Sequence, residues 1–163
     1  MPLGLLKGVK SVGLRRQSRE AALQAVFACD FLGVWSMEQV NFCFSHYEIS
    51  PAIRSFSCLL CQGVIENLKE LEASITRASD NWSISRMGRV DRCILRLAAY
   101  EIMFMVDVPA NVSMNEAIEI AKRFGSDESP QFINGVLDKL TGMTRGQPDF
   151  AARALQRISE QAS

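Results

Sequence analysis

The sequence contains a single histidine, His46, among its 163 residues. A metal site built from several histidines is therefore excluded, and a serine–histidine–aspartate triad would have to use this one residue. No apolar run approaches the roughly 20 residues that a helix needs to cross a bilayer, so we expect no integral membrane protein. Aromatic residues make up only 8% of the chain, and 18 basic residues balance 18 acidic ones. What is present, with 48% hydrophobic residues, is the composition of one ordinary globular domain.

The cysteines do not form a disulfide framework, because their number, five, is odd and four of them lie in apolar, helical-looking stretches. This usage predicts a reducing, cytoplasmic location. Cys58 and Cys61 have CxxC spacing, but a zinc site would need two further ligands, and neither a second CxxC nor a histidine pair is present. A redox CxxC starts a helix after a strand, whereas this one lies mid-helix among leucines, so packing in the core is its expected role.

The balanced charge hides an asymmetry at the start of the chain. Residues 1–19 contain five basic residues and no acid, whereas residues 20–163 contain 13 basic and 18 acidic residues and so carry a net charge of −5. A basic head of this kind suits a polyanion, and it is equally typical of a solvated terminus. It lacks the continuous apolar segment of a secretory signal, and it is compatible with a transit peptide.

Apolar residues recur at intervals of three and four, which predicts an all-α bundle of about seven helices. Gly33 is expected to end the first helix, and Ser50-Pro51 to start one long helix that continues past Ile75. Ser113 with Glu116 has the form of a capping box. Ser129-Pro130 and Gly142 are the expected limits of the next helix, and Asp149 precedes a last amphipathic segment.

Motifs for catalysis are missing: the sequence has no GxSxG, no GxGxxG and no P-loop. The carboxylates of Glu66, Glu70 and Glu72 lie on the polar side of a predicted helix, which is typical of a solvated face. We therefore predict a protein that is not an enzyme and that holds no metal or cofactor.

Arginines are concentrated in two places. Arg15, Arg16 and Arg19 share one face at the start of the first helix, and guanidinium groups bind phosphate bidentately. A second row, made of Arg86, Arg89, Arg92 and Arg96, either extends the basic surface or forms ion pairs with Asp91 and Glu101.

Two phenylalanines flank the polar loop 125–129. Aromatic rings beside such a loop and a helix N-terminus can stack unpaired bases, so Phe124 and Phe132 are candidates for contact with single-stranded nucleic acid. The alternative is that both rings pack between the adjoining helices.

Four stretches together resemble a known family. They are RRQSREAALQAVF from Arg15, VDRCILRLAAYEI from Val90, VPANVSMNEAIEIAKRFG from Val108 and SPQFINGVLDK from Ser129. They are similar to the corresponding parts of the NusB family of bacterial transcription antitermination factors. The similarity is dense over residues 88–140, clear over 15–32 and limited to the apolar pattern over 33–87.

The resemblance implies two packed helical subdomains over residues 15–142, between a basic N-terminal extension (1–14) and a C-terminal helical tail (143–163). It implies a role in transcription antitermination without catalysis. Such a protein binds the boxA element of nascent ribosomal RNA together with NusE, a small-subunit ribosomal protein, and joins other Nus factors on RNA polymerase.

Carried over by position, the resemblance also implies site residues. The RNA-binding residues would be Arg15, Arg16, Arg19, Phe124, Glu128, Gln131 and Phe132, and the NusE-binding residues would be Phe27 and Asp91. Two positions depart from the family pattern: Phe27 replaces the usual tyrosine and loses its hydroxyl, and Gln17 replaces a residue that is often basic. About three arginine–phosphate contacts predict a slope near −2 for log affinity against log salt.

Two other interpretations stay open at this point. NusB-like domains also precede the catalytic domain of some ribosomal RNA cytosine methyltransferases, although this chain ends at Ser163 without a cofactor-binding glycine motif. The chain could also be a helical module that binds only proteins. The sequence does not distinguish a monomer from a dimer that masks its RNA surface.

Overall fold

The structure, a computed structural model, describes residues 13–163. These residues form eight α-helices and one 3-10 turn: α1 (Leu14–Leu32), α2 (Met37–His46), α3 (Pro51–Glu66), α4 (Leu68–Ala78), the turn Ile84–Arg86, α5 (Arg89–Phe104), α6 (Ala110–Phe124), α7 (Ser129–Thr144) and α8 (Phe150–Ala162). No strand occurs in this range, which confirms the all-α prediction. None of the helices in it is long and apolar enough to span a membrane.

α1 is the longest helix, and its apolar residues repeat along one side. Leu23, Val26 and Phe27 of this stripe are buried, whereas Phe31 near its end is 61% exposed. The helix ends where Gly33 adopts a φ of +68° and donates its N–H to the carbonyl oxygen of Cys29. The predicted end of the first helix is therefore confirmed.

The single long helix predicted to start at Pro51 and continue past Ile75 is wrong, because the chain forms α3 and α4 there. Asn67, between them, has a φ of −117° and a ψ of 20°. Its side-chain amide donates a 2.8 Å hydrogen bond to the carbonyl oxygen of Gly63 and so competes with the backbone ladder. Leu71 and Ile75 after the break are still fully buried. The spacing of the apolar residues therefore stays the same on both sides of the break, so this spacing does not indicate where α3 ends.

The predicted capping box at Ser113 is also wrong. α6 begins three residues earlier, at Ala110, with Pro109 at its N-cap position. Ser113 lies inside the helix, where its hydroxyl donates to the buried carboxylate of Glu101 at 3.2 Å. The Glu116 side chain forms an ion pair with α1 instead of closing a cap.

The end of α7 differs from the prediction as well. The helix continues through Gly142 to Thr144, because a glycine inside a helix costs only about 0.5–1 kcal/mol. α8 then folds back onto the bundle: Ala154 is 3% exposed, and Arg157 pairs with Glu70 of α4 at 2.8 Å. The C-terminal segment is thus a packed helix.

The helices form two groups around one continuous core. α1 packs on α2 and α3, while α4, α6 and α7 surround α5. α5 also contacts α1 and α3, which joins the groups. The largest fully buried side chains come from both groups and include Phe44, Leu60, Leu95 and Leu137. α1 and α6 both pack on α5, and ion pairs between their side chains, Arg16 with Glu116 and Arg123 with Glu20, place the two helices side by side.

Candidate nucleic-acid interface

Arg15 is the most exposed of the three arginines predicted at the start of α1. Its guanidinium carbon lies 4.0 Å from the centroid of the Phe56 ring on α3, which is a cation–π contact. No carboxylate of residues 13–163 pairs with Arg15. The contact with Phe56 therefore holds an exposed cation whose charge is not compensated.

Arg16 reaches in the other direction, to α6. Its Nε and Nη2 donate to the two carboxylate oxygens of Glu116 at 2.7 and 2.9 Å. This hydrogen bond is the main reason why the pKa of Glu116 lies below its ordinary value of 4.5. The Arg16 side chain keeps 32% of its area exposed, and its Nη1 makes no hydrogen bond to residues 13–163.

Arg19 occupies a buried position between these two. Its side chain is 8% exposed, and its Nη2 donates to Glu101 of α5 at 2.6 Å. The guanidinium carbon also lies 5.4 Å from the Phe56 ring. Arg19 therefore fixes the start of α1 onto α5, and its guanidinium group faces the interior.

A second ion pair joins α1 to α6, this time with the carboxylate on α1 and the arginine on α6. The Nη1 of Arg123 donates to both carboxylate oxygens of Glu20, at 3.0 and 2.9 Å. Burial raises the pKa of Glu20 above its ordinary value of 4.5, although Arg123 opposes the shift. The Arg123 guanidinium carbon lies 4.9 Å from the centroid of the Phe124 ring.

The loop after Phe124 is held by Ser129. The Ser126 N–H donates to the Ser129 hydroxyl at 2.9 Å, across the start of α7. Glu128 and Gln131 are exposed, while Phe132 is half-buried. The loop therefore presents polar side chains next to two rings that are only partly covered.

The structure brings the start of α1 with Arg15, Arg16 and Arg19 (the arginine head) close to the loop with Phe124, Glu128, Gln131 and Phe132 (the Phe124 corner). Arg16 contacts α6 at Glu116, and eight residues of helix separate Glu116 from Phe124, which is about 12 Å along the axis. Glu20 and Arg123 connect the helices again near the loop. Arg16, Arg123 and Phe124 thus lie along one surface formed by α1 and α6, whereas Arg15 reaches towards α3 and the guanidinium of Arg19 is buried.

Phe27 and Asp91, the predicted partner-binding residues, lie near the other end of α1. Phe27 is 8% exposed, and Asp91 is half-buried in the first turn of α5. The guanidinium carbon of Arg89 lies 6.0 Å from the Phe27 ring and 5.1 Å from the exposed Phe31 ring. Since 11 residues separate Phe27 from Arg16, this surface begins about 17 Å along α1 from the arginine head.

The second arginine row forms ion pairs, but with partners other than those predicted. Arg89, Arg92 and Arg96 all bind the carboxylate of Asp30 on α1, at 2.7, 2.6 and 2.9 Å. Arg96 also binds Glu72 on α4. Asp91 takes part in none of these pairs, and Glu101 is the partner of Arg19. Arg89, Arg92 and Arg96 are therefore structural, whereas Arg86, exposed in the 3-10 turn, joins no ion pair within residues 13–163.

Sequence reasoning missed Arg123, Glu20 and Phe56. The position of Arg123 next to a candidate stacking ring is a signal that could have identified it. Nothing local identifies Glu20 or Phe56, because their partners are far away in the sequence or in another helix. Among residues 13–163, no group of three or more metal-ligating side chains is placed to hold a metal ion.

A sequence model of the NusB family matches residues 16–142. The chain belongs to the NusB family. The transcription antitermination protein NusB of Geobacter sulfurreducens is 46% identical over 130 residues, which cover 79% of this chain and 94% of that protein. The Bacillus subtilis protein of the same name is 43% identical over 126 residues, which cover 77% and 93%. The identification suggested by the sequence is confirmed.

Solved structures have the same fold. T. maritima NusB is 32% identical with a TM-score of 0.71, covering 80% of this chain and 92% of that one. A chain from a crystal structure of antitermination factors NusB and NusE in complex with dsRNA has a TM-score of 0.72, covering 80% and 97%. Its identity of 21% supports the fold alone. The α8 helix lies beyond residue 142, where the NusB family match ends.

Proposed function

We propose that this NusB-family chain is a non-catalytic adaptor that binds boxA RNA of nascent ribosomal RNA together with NusE. It then joins other Nus factors on RNA polymerase and promotes antitermination in the bacterial cytoplasm. The observation that carries the proposal is the position of the arginine head and the Phe124 corner on one surface formed by α1 and α6. The relatives named as antitermination proteins, and a fold shared with a NusB that was crystallised with NusE and RNA, support the same role.

Arg15 and Arg16 would supply the electrostatic part of RNA binding. Arg15 has no carboxylate partner within residues 13–163, and Arg16 offers Nη1 while Glu116 holds its other two nitrogens. Each phosphate contact releases counterions from the RNA, so the affinity should fall as salt rises. Arg19 would be a positioning residue that holds the start of α1 in place, because its guanidinium is buried on Glu101.

The Phe124 corner would supply the contacts with bases. Phe124 and Phe132 would stack unpaired bases, and the exposed side chains of Glu128 and Gln131 would hydrogen-bond base edges. The separate surface around Phe27 and Asp91 would bind NusE, with the RNA surface left free.

The test is RNA binding measured by fluorescence anisotropy at several salt concentrations, with boxA RNA and a scrambled RNA, in the presence and absence of NusE. Arg15→Ala and Arg16→Ala should each flatten the log–log salt slope by about 0.7, the value for one contact with a single strand. Arg77→Ala is the matched control, since Arg77 is an exposed arginine on α4 that hydrogen-bonds only Ser74 among the residues that the structure describes.

An affinity for boxA RNA that does not depend on salt, or equal binding of boxA and scrambled RNA with NusE present, would contradict the proposal. A methyl-transfer assay with S-adenosylmethionine and ribosomal RNA addresses the non-catalytic part. Transfer by this chain alone would overturn it.

A further inference from the structure

The two ion pairs between α1 and α6 are reciprocal, but they leave different parts of the two guanidinium groups free. Glu116 occupies Nε and Nη2 of Arg16, which form the edge that binds an oxyanion bidentately. Glu20 occupies only Nη1 of Arg123, although both of its oxygens accept from that nitrogen. The Nε and Nη2 of Arg123 make no hydrogen bond with any of residues 13–163.

Arg123 is held firmly enough to be a preorganised binding group. The Glu20 side chain that anchors it is 2% exposed, whereas the Arg123 side chain is 31% exposed. A fixed carboxylate on one side and the Phe124 ring on the other limit the rotamers that the long arginine side chain adopts. The entropy cost of binding a ligand at its free edge is reduced accordingly.

The contact with Phe124 determines which kind of anion fits. A free phosphate needs only the guanidinium edge, but here that edge lies next to a half-buried aromatic ring, 4.9 Å from the guanidinium carbon to the ring centroid. A nucleotide offers both a phosphate and a flat base, and aromatic rings stack bases of any sequence.

We propose that Arg123 is an RNA-contacting residue that binds a backbone phosphate of single-stranded RNA through Nε and Nη2, while Phe124 stacks the neighbouring base and Glu20 positions the guanidinium. This inference rests on the proposed RNA-binding function and adds to it a phosphate contact at the loop end of the surface. Glu20 touches no RNA and acts only through Arg123.

The experiment uses the full chain and a single-stranded boxA RNA, with the affinity measured over a range of salt concentrations. Arg123→Ala alone would leave the buried Glu20 carboxylate without a partner and could unfold the protein. The informative variant is therefore Glu20→Gln with Arg123→Gln, in which two amides replace the ion pair. Its affinity should be about tenfold lower at low salt, and its salt slope should flatten by about 0.7.

Lys122→Ala is the matched control, because it removes the same charge from the adjacent residue, whose one ion pair within residues 13–163 is an exposed pair with Glu119. Lys122→Ala should change the salt slope by less than half as much as the double variant does. Arg123→Lys should keep the slope but lose affinity, since an ammonium group cannot bind a phosphate bidentately. Glu20→Gln alone should also keep the slope and weaken RNA binding, because the charge of Arg123 remains while the carboxylate that positions its guanidinium is lost.

The inference is overturned if the double variant, folded as judged by its circular dichroism spectrum, binds boxA RNA with the wild-type affinity and slope. It is equally overturned if Lys122→Ala causes the same loss of affinity as the double variant, since the loss of any positive charge in this region would then explain the result. If the wild-type protein itself shows no salt-dependent RNA binding, the proposed function fails, which is a distinct result.

Discussion

The guanidinium group of Arg19 is bound to the carboxylate of Glu101 in the interior of the bundle, with 2.6 Å between Nη2 and Oε1 and side-chain exposures of 8% and 3%. The Arg19 Nε donates to the other oxygen at 3.1 Å, and the Ser113 hydroxyl adds a third donor. Three helices, α1, α5 and α6, thus meet at one carboxylate. Arg19 belongs to the basic segment at the start of the sequence, but its charge is paired with a carboxylate in the protein interior.

Removal of Arg19 should therefore affect stability far more than removal of its exposed neighbour. Arg19→Ala leaves the Glu101 charge buried without its partner, and we expect the free energy of unfolding to fall by about 3–5 kcal/mol. Arg15→Ala removes an exposed arginine and should cost less than about 1 kcal/mol. Urea denaturation of both variants measures the difference, and similar losses would contradict the burial of the Arg19 pair.

Asp30 should make the stability of the protein sensitive to acid. Burial alone would raise its pKa, but hydrogen bonds from Arg92, Arg96 and Arg89 hold the pKa below its ordinary value of 3.8. A carboxyl whose pKa is lower in the folded state stabilises that state above its unfolded pKa, and this contribution is lost as the pH falls through the folded pKa.

Asp30→Asn should accordingly lower the free energy of unfolding by about 3–5 kcal/mol at about pH 7, because three arginines lose a shared buried partner. The difference from the wild type should shrink in acid, where Asp30 is protonated in both states. Asp80→Asn is the control, since Asp80 pairs with Lys139 at the surface and should contribute about 0–1 kcal/mol. A difference for Asp30→Asn that stays constant into acid would refute the pKa assignment.

Two glycines inside helices should respond to alanine in opposite directions. A Cβ at Gly63 would lie 2.0 Å from Cζ of Tyr100, and Tyr100 is itself stacked on Phe104 with 5.4 Å between ring centroids. Gly63→Ala should cost about 1–3 kcal/mol through overpacking between α3 and α5. At Gly142 a Cβ meets nothing within 4 Å, so Gly142→Ala should stabilise the protein by about 0.5–1 kcal/mol. Thermal unfolding of the two variants gives the sign of each change.

Four of the five thiols should be unreactive in the folded protein. Burial raises the pKa of Cys43 to about 11 and that of Cys93 to about 12, and it also raises the pKa values of Cys29 and Cys61. The thiolate is the reactive form, so a disulfide reagent at about pH 8 should modify only the half-buried Cys58 until the protein is unfolded. Fast modification of more than one thiol in the native state would show that the core opens readily.

Local sequence signals predicted the all-α class and several helix ends. Gly33 ends α1 because glycine adopts the left-handed conformation at low cost, and Ser50-Pro51 and Ser129-Pro130 start α3 and α7 because proline suits the first turn of a helix. The boundary at Asn67 and the start of α6 at Ala110 escaped prediction. The break at Asn67, where the side chain hydrogen-bonds Gly63, leaves the apolar period unchanged, and Ser113 lies inside α6 with its hydroxyl on the buried Glu101 carboxylate and so does not act as a cap.

The amino-acid sequence alone specifies local properties: which segments are helical, which faces of them are apolar, and which residue types are available to bind an anion or stack on a base. The pairing of the charges depends on how the helices pack in three dimensions. Arg16 and Glu116 are 100 residues apart, Arg19 and Glu101 are 82 apart, and Glu20 and Arg123 are 103 apart. No helical period relates positions so distant, since their proximity depends on the packing of α1 and α6 against α5. That packing separated one buried arginine from those that remain available to a ligand.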